Sequence, residues 1–483
     1  MLVIAGRHRG PSRWWIVALW SAFACAPDDD PLDCPAWTAA QGDRCVLRSW
    51  VVPDQDDALS ESGAREVQVA LGPGGAALVA WTDADPVDGR VFVAERRDGT
   101  WSSTPMHVDD GGSVGLEPAI AIGPAGEALA AWKQQREDGV VFLATRPPTG
   151  GWRMPIAPIS WAQTAYEPRV AFGPDAEALV SWNQWTGTNF GVALGLRAPG
   201  SDVFALPEDA DALLSAPVNY ANAPRLAVGP DGEGLVAWYQ APVDDLMVYV
   251  SERRDAASPF TRAEADAFVS PGGATVDSHT EANATPVVGD AGEAAVVWTQ
   301  QRGEPWDIAV FAATRTAAGQ WQRPSSLDDT ISAPGAFARC PQPALVDGAL
   351  VVTWYETRGD DTAVWVDHGD DADPERLSAE GVEAVHPVLG VDADGGLVVV
   401  WAENDAASRD TWRVVARRRS NAVDADADAE LASQWRAVEI LSVPQAGLAP
   451  TPQLAIAPDD GAVLVAWAQG GVLDARVYVA ALP

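Results

Sequence analysis

Residues Glu117–Trp132 read E-P-A-I-A-I-G-P-A-G-E-A-L-A-A-W. Ala119–Ile122 alternates small and large apolar side chains as a strand does, and Gly123-Pro124-Ala125-Gly126 is turn chemistry. Ala128–Trp132 is then a second strand, returning antiparallel to the first. The phrase comes back at Glu167–Trp182 around G-P-D-A-E and at Ala223–Trp238 around G-P-D-G-E. Looser copies end at Trp81, Trp298, Trp354, Trp401 and Trp467, so eight tryptophans recur 47 to 66 residues apart. Repetition at such a period turns the fold into a question of how one unit stacks on the next.

The unit continues with a third strand, Val140–Thr145 ending at Arg146, and Gly150-Gly151 turns into Trp152, which opens a fourth strand toward Ile159. Third strands elsewhere read Val91–Arg96, Val192–Arg197, Val248–Arg253, Ile308–Arg315 and Val414–Arg417. Trp101, Trp321 and Trp435 announce further fourth strands, with Phe204 and Phe260 in the same role. The expected fold is all-β: an eight-bladed β-propeller of four-stranded antiparallel blades spanning residues 44–483, with almost no helix. Seven blades with one degenerate copy outside the ring is the alternative. The last unit runs from Pro452 through Trp467 to a third strand, Val477–Ala480, and has no fourth. Arg44–Pro53 (R-C-V-L-R-S-W-V-V-P) is expected to supply it, closing the ring and removing exposed sheet edges.

The chain has 483 residues, with 32 basic against 68 acidic side chains and a net charge of −36. Such a surface repels phosphate backbones and anionic lipid, which excludes nucleic acid as a partner and leaves the membrane accessible only through an anchor. A monomer is the expected state. Residues 1–24 read as a signal peptide: Arg7, His8, Arg9 and Arg13 precede the apolar Trp14–Ala24, which is too short to span a bilayer. Cys25 follows, then a polar tether and a small cysteine loop to residue 43. This resembles a bacterial lipoprotein signal, in which that cysteine is acylated; secretion without lipid is the alternative. Either way the location is extracytoplasmic: the bacterial outer membrane, the cell surface or the medium. Cys34 and Cys45 enclose a short loop suited to a disulfide, and Cys340 is left over, or pairs with Cys25 if that residue carries no lipid.

In a repeat protein, residues present in every unit serve the fold, and residues found once are candidates for function. The first class holds the tryptophans, the amide or carboxylate two residues after each (Asp83, Gln134, Gln184, Gln240, Gln300, Glu356, Glu403, Gln469), and the arginines ending third strands, expected to pair with local acids. The second class falls in the loops joining fourth to first and second to third strands, which share one face of a propeller. Candidate ligand contacts there are Glu117, Tyr166, Glu167, Trp185, Tyr220, Tyr239, Trp306, Tyr355 and His386, with Glu66, Trp161, Asn222 and His279 nearby in the pattern. Aromatics among amides and carboxylates suit stacking on sugar rings or gripping a peptide. The expectation is a non-catalytic binder of a glycan or an envelope protein. A glycoside hydrolase on the same face and a plain envelope scaffold are the alternatives. Asp424, Asp426 and Asp428 begin like a calcium loop, but Ala429 stands where its glycine belongs. No zinc spacing, nucleophile elbow or phosphate loop appears.

Arg97-Asp98-Gly99-Thr100-Trp101 resembles a shortened Asp-box, and Gly150–Trp152 and Gly319–Trp321 are fainter forms of it. On these residues the chain is similar to the broad group of sialidase-like (Asp-box, or BNR-type) propeller repeats. The resemblance implies a propeller, and implies glycan chemistry only where the arginine triad and the Tyr/Glu pair of sialidases are present. No such triad phrase occurs here, and Tyr166-Glu167 is the one adjacent pair, on a strand whose neighbours should face opposite sides. Mass spectrometry of the mature N-terminus is expected to find an acylated Cys25; an unmodified residue there would end the lipoprotein assignment.

Overall fold

The computed structural model describes residues 48–483 apart from 84, 86–88, 103–105, 108–112, 136–137, 217–219, 242–244, 265, 277–283, 305, 371, 393–394, 406–407, 421–434, 458–460, 472 and 483, together with the backbone of Thr38–Gln41 and Arg44–Leu47. Cys25, Cys34, His279 and Asp424, Asp426 and Asp428 therefore lie outside the described residues. Strand is nearly the only regular structure, and the helical turns among the described residues are the short Pro73–Gly75 and Ala210–Ala212.

Each repeat is an antiparallel meander of three full strands. The second is Val114–Ile122, Ala128–Gln135 and Val140–Arg146, and the third is Ala165–Phe172, Ala178–Trp185 and Phe190–Arg197. Eight such meanders occur among the described residues, the fifth and sixth sharing one parallel bridge, Ile308 to Phe337. The first strand of each repeat packs on the first strand of the next, and Gln453–Ile456 of the eighth lies against Ala64–Leu71 of the first.

The eight repeat tryptophans are buried, none more than 2% exposed. A buried indole needs a partner for its N–H, and the residue two positions on provides it. Nε1 of Trp132, Trp182, Trp238, Trp298 and Trp467 donates to Oε1 of Gln134, Gln184, Gln240, Gln300 and Gln469 at 2.8–3.1 Å. The carboxamide then donates onward. Gln300 Nε2 reaches the carbonyls of Pro271 and Ala274, both at 2.8 Å, and Gln469 Nε2 those of Trp412 and Val443. Where the position is glutamate, which can only accept, an arginine replaces the carbonyl: Glu403 takes Trp401 and Arg413, and Glu356 takes Trp354 and Arg358.

The fourth strand departs from expectation. It shrinks to two-residue strands such as Thr100–Trp101 and Trp321–Gln322, or to single bridges such as Thr145 to Arg153 and Leu196 to Ala205. Its place is taken by an apolar residue followed by serine. In seven repeats the apolar residue's N–H donates to the carbonyl of a third-strand valine, and that valine's N–H donates to the serine Oγ. The pairs are Ile159-Ser160 on Val141, Leu214-Ser215 on Val192, Val269-Ser270 on Val248, Ile331-Ser332 on Val310, Leu377-Ser378 on Val364 and Leu441-Ser442 on Val414. The seventh clip spans the length of the chain: Leu59-Ser60 holds Val477 of the last repeat, the serine at 2.9 Å.

That clip relocates the expected contact of Arg44–Pro53. Arg44–Leu47 pairs with Thr38–Gln41 in its own hairpin, and from the expected segment Val51 alone bridges the last repeat, at Ala481. The Asp98-Gly99 turn, with φ of +50° and +77°, is a two-residue hairpin turn joining Arg97 to Thr100. The arginines ending third strands are also more than local partners. Arg253, 2% exposed, pairs with Glu177 of the preceding repeat, and Arg315 with Glu252 of the preceding repeat at 2.6 Å. They stitch repeat to repeat from within. Ser60→Ala and Ser270→Ala are each expected to lower unfolding stability by about 1 kcal/mol. Urea melts showing Ser270→Ala destabilised and Ser60→Ala unchanged would remove the N-terminal clip.

Candidate binding site

The first strands carry a recurrent defect that builds the site. Glu66, Glu117, Glu167, Ala223, Cys340 and His386 all have φ between +51° and +55°, and the strand register slips at each of them. This is a β-bulge with its first residue left-handed, normally a glycine position. In five of the six a proline follows, which suits a place where the ladder offers its nitrogen no partner. A bulge re-aims its side chain. Glu66 Oε2 accepts the backbone N–H of Glu117 at 2.7 Å, and Glu117 Oε2 that of Glu167 at 2.5 Å. Glu167 accepts from Asn183 Nδ2 at 2.9 Å, and the same nitrogen lies 2.8 Å from Asn222 Oδ1. At the seventh repeat His386 Nδ1 sits 3.0 Å from the Pro450 carbonyl at the entry to the eighth. The expected ligand-facing carboxylates thus tie each repeat to its neighbour as well as lining a surface.

The bulge also undoes the alternation that should separate Tyr166 from Glu167. Tyr166 pairs across the strands with Asn183, and Asn183 holds the Glu167 carboxylate, so two successive residues serve one rim. There Tyr166, Trp185, Phe190 and Tyr220 meet. Phe190 lies 5.0 Å from both Tyr166 and Trp185 and 5.5 Å from Tyr220, centroid to centroid, and the two tyrosine hydroxyls are 3.0 Å apart. Tyr220 is 41% exposed and the other three are half-buried. Lys133 Nζ stands 5.7 Å over the Tyr166 ring and 3.5 Å from Glu117. Three of the sequence candidates therefore form one ledge, together with Phe190 and Lys133, which carry no repeat signal and were missed.

The other candidates disperse. Tyr239 is 1% exposed, packed with Val248 and Trp298, and belongs to the core rather than to a loop. Its place next to the invariant tryptophan, on a strand buried on both faces, explains this. Tyr355 is 8% exposed and meets His386 edge to face at 5.9 Å, a contact between the sixth and seventh repeats. Trp306 is 78% exposed beside Phe337, on the far repeats. Trp161 is half-buried, its indole donating to the Pro207 carbonyl.

Next to the ledge a cavity of about 700 Å³ opens among the first, second, third, fourth and eighth repeats. Its charged lining is Arg65, Glu66, Glu117, Glu167, Arg169 and Arg225, and Gln68, Thr451 and Gln453 add neutral polar groups. Arg169 and Arg225 each fold one guanidinium nitrogen onto the carbonyl of the preceding proline, at 2.7 and 3.2 Å. Burial, and for Arg225 also the charge of Arg169, holds both guanidiniums below their ordinary pKa. Burial raises the Glu117 carboxyl above its ordinary value of 4.5, with Lys133 opposing, and raises the Tyr166 phenol well beyond the usual range.

No family model matches. No curated protein matches the chain either. Among solved structures, a protein of unknown function from Dyadobacter fermentans is similar at 10% identity over 90% of this chain and 98% of its own, with a TM-score of 0.41. An ulvan lyase from a new polysaccharide lyase family is similar at 9% over 71% of this chain and 92% of its own, TM-score 0.47. An α-L-arabinanase of Penicillium chrysogenum complexed with arabinobiose is similar at 12% over 76% and 92%, TM-score 0.37. At these identities nothing of their substrates transfers.

A raised Glu117 pKa means the folded chain holds that proton more tightly than the unfolded chain, so this residue's contribution to stability falls as pH rises above about 4.5. Glu117→Gln keeps an acceptor for the Glu167 N–H and cannot titrate. Relative to wild type it is expected to gain stability from about pH 4.5 toward neutrality. Denaturant melts with parallel pH profiles for the two proteins would contradict this.

Proposed function

We propose that the eight repeats form one propeller ring, held shut by the Leu59-Ser60 clip, and that its loop-bearing face binds a glycan without turning it over. The observation that carries the reading is the ledge of Tyr166, Trp185, Phe190 and Tyr220 beside a polar cavity. An aromatic face stacks on the C–H face of a pyranose, while the surrounding amides and charges pair with its hydroxyls. The candidate carboxylates fit a binder better than a hydrolase, because Glu66 and Glu117 are each occupied by a neighbouring backbone N–H. A carboxylate committed to a structural bond is a poor nucleophile and a poor base.

In this reading the protein is exported and tethered through Cys25, and it presents the ledge outside the cytoplasm. The acidic surface keeps it dispersed there. Glycoside hydrolysis at the same face is the second reading, favoured by one feature: Glu117, with its raised pKa, has the character of a general acid.

A glycan array is expected to show binding by the wild-type chain that Trp185→Ala weakens by about tenfold or more, the scale for losing a central stacking contact. Fluorogenic glycosides of the bound class should show no turnover. Turnover abolished by Glu117→Gln would establish the second reading, and an array blank for the wild type would remove both.

A further inference from the structure

The cavity beside the ledge has a charge balance unlike that of the molecule around it. The chain carries −36, yet the cavity lining holds three carboxylates and three guanidiniums: Glu66, Glu117 and Glu167 with Arg65, Arg169 and Arg225. An anion or a cation entering it would meet like charges as well as opposite ones. A group that donates and accepts at once meets partners on every side. Hydroxyl is that group: its O–H donates to a carboxylate and its lone pairs accept from guanidinium N–H. Vicinal hydroxyls on one ring fit such a mixed lining, and hydrogen bonds to charged groups are the strong ones.

The position of the cavity adds a direction. Glu117 joins ledge and cavity, because it lines the cavity and pairs with Lys133, which stands over the Tyr166 ring. Beyond Glu117 the cavity is walled by residues of the first strands of the first four repeats and by Thr451, Gln453, Gly470, Gly471 and Ala475 of the eighth. Its volume, about 700 Å³, lies in the ordinary range for small-molecule sites of ~300–1,000 Å³. Between the ledge and a ring-sized space in the cavity stand Glu117 and Lys133.

We infer that this cavity is a subsite for the terminal residue of a neutral glycan, which the protein takes end-on, with the penultimate ring on the aromatic ledge. The inference rests on the glycan reading proposed above and goes beyond it in naming the charge class and the chain end. Arg169 and Arg225, braced on the carbonyls of Pro168 and Pro224, present their remaining N–H groups to ring hydroxyls. Glu66 and Glu167 accept hydrogen bonds from the ring hydroxyls. Specificity for an end follows from walls on several sides, and weaker binding of uronic acids follows from the net charge of −36 on the chain around a lining of balanced charge.

The test uses the full chain and calorimetric titration with neutral gluco-, manno- and galacto-oligosaccharides. Each is offered with free termini, with its non-reducing terminal ring O-methylated, with its reducing terminal ring O-methylated, and as the corresponding oligouronate. The expected result is that a free-ended neutral oligosaccharide binds, that methylating one terminus weakens it roughly tenfold or more, and that the uronate binds more weakly still. Arg225→Gln should weaken the free-ended ligand by a similar factor and leave the methylated one unchanged. Equal affinity for free and methylated termini, with Trp185→Ala still weakening binding about tenfold or more, would overturn the end-on subsite and leave the glycan reading standing. Tighter binding of the uronate would overturn the neutral class alone. Failure of every oligosaccharide to bind the wild type would take the glycan reading and this inference together.

Discussion

Everything in the fold rests on an indole that must be buried and a carboxamide two residues later that lets it be. A tryptophan side chain removes ~150–250 Å² from water, but its N–H cannot be left without an acceptor in a dry interior. Gln134, Gln184, Gln240, Gln300 and Gln469 meet that need. The same carboxamide spans from the indole to carbonyls of the segment coming from the outer edge, as Gln300 does to Pro271 and Ala274. One short phrase thereby fixes the hydrophobic filling of a repeat and anchors its connection. The exchange of glutamine for glutamate at 356 and 403, each with an arginine at hand, shows the rule at work: a group that only accepts needs a second donor.

With the tryptophan clasp holding the middle of each sheet, the outer strand is free to shrink. An apolar residue and a serine on a third-strand valine satisfy both backbone groups of that valine, which is most of what a fourth strand would contribute at that point. The same economy lets a segment more than 400 residues away in sequence, Leu59-Ser60, serve the last repeat with the same two bonds. On the inner side the bulges do the converse. They admit a strained backbone residue, and the side chain so re-aimed reaches the neighbouring repeat. The seam that joins Glu66, Glu117 and Glu167 is also the rim of the cavity, so the proposed binding surface stands on the bonds that hold the repeats together.

Much of this was legible in the chain. The strand-turn-strand phrase, its repetition, the buried tryptophans and their polar followers could all be read because they recur, and recurrence separates architecture from accident. The apolar-serine clip was equally present, as I-S, L-S and V-S pairs after six of the third strands and as Leu59-Ser60 ahead of the first repeat, and passed unseen because two residues make a weak signal against a degenerate strand. The aromatic ledge was half legible. Tyr166, Trp185 and Tyr220 stood out as aromatics in loops, whereas Phe190 begins a strand and Lys133 ends one. Tyr239 and Tyr355 look the same as the ledge tyrosines in one dimension, yet each follows its tryptophan in a strand buried on both faces.

The sequence by itself determined the unit: its strands, its turns, and which aromatic goes inside, because these depend on neighbours a few residues apart. Only the tertiary structure decided what the units share. Arg253 found its acid in the preceding repeat, Glu117 its donor in the next, and Ser60 its valine at the other end of the chain. Those pairings depend on how strands from separate repeats lie side by side, and on a left-handed residue that points a glutamate across the gap. No spacing within one repeat encodes that direction, because it is a property of two backbones meeting.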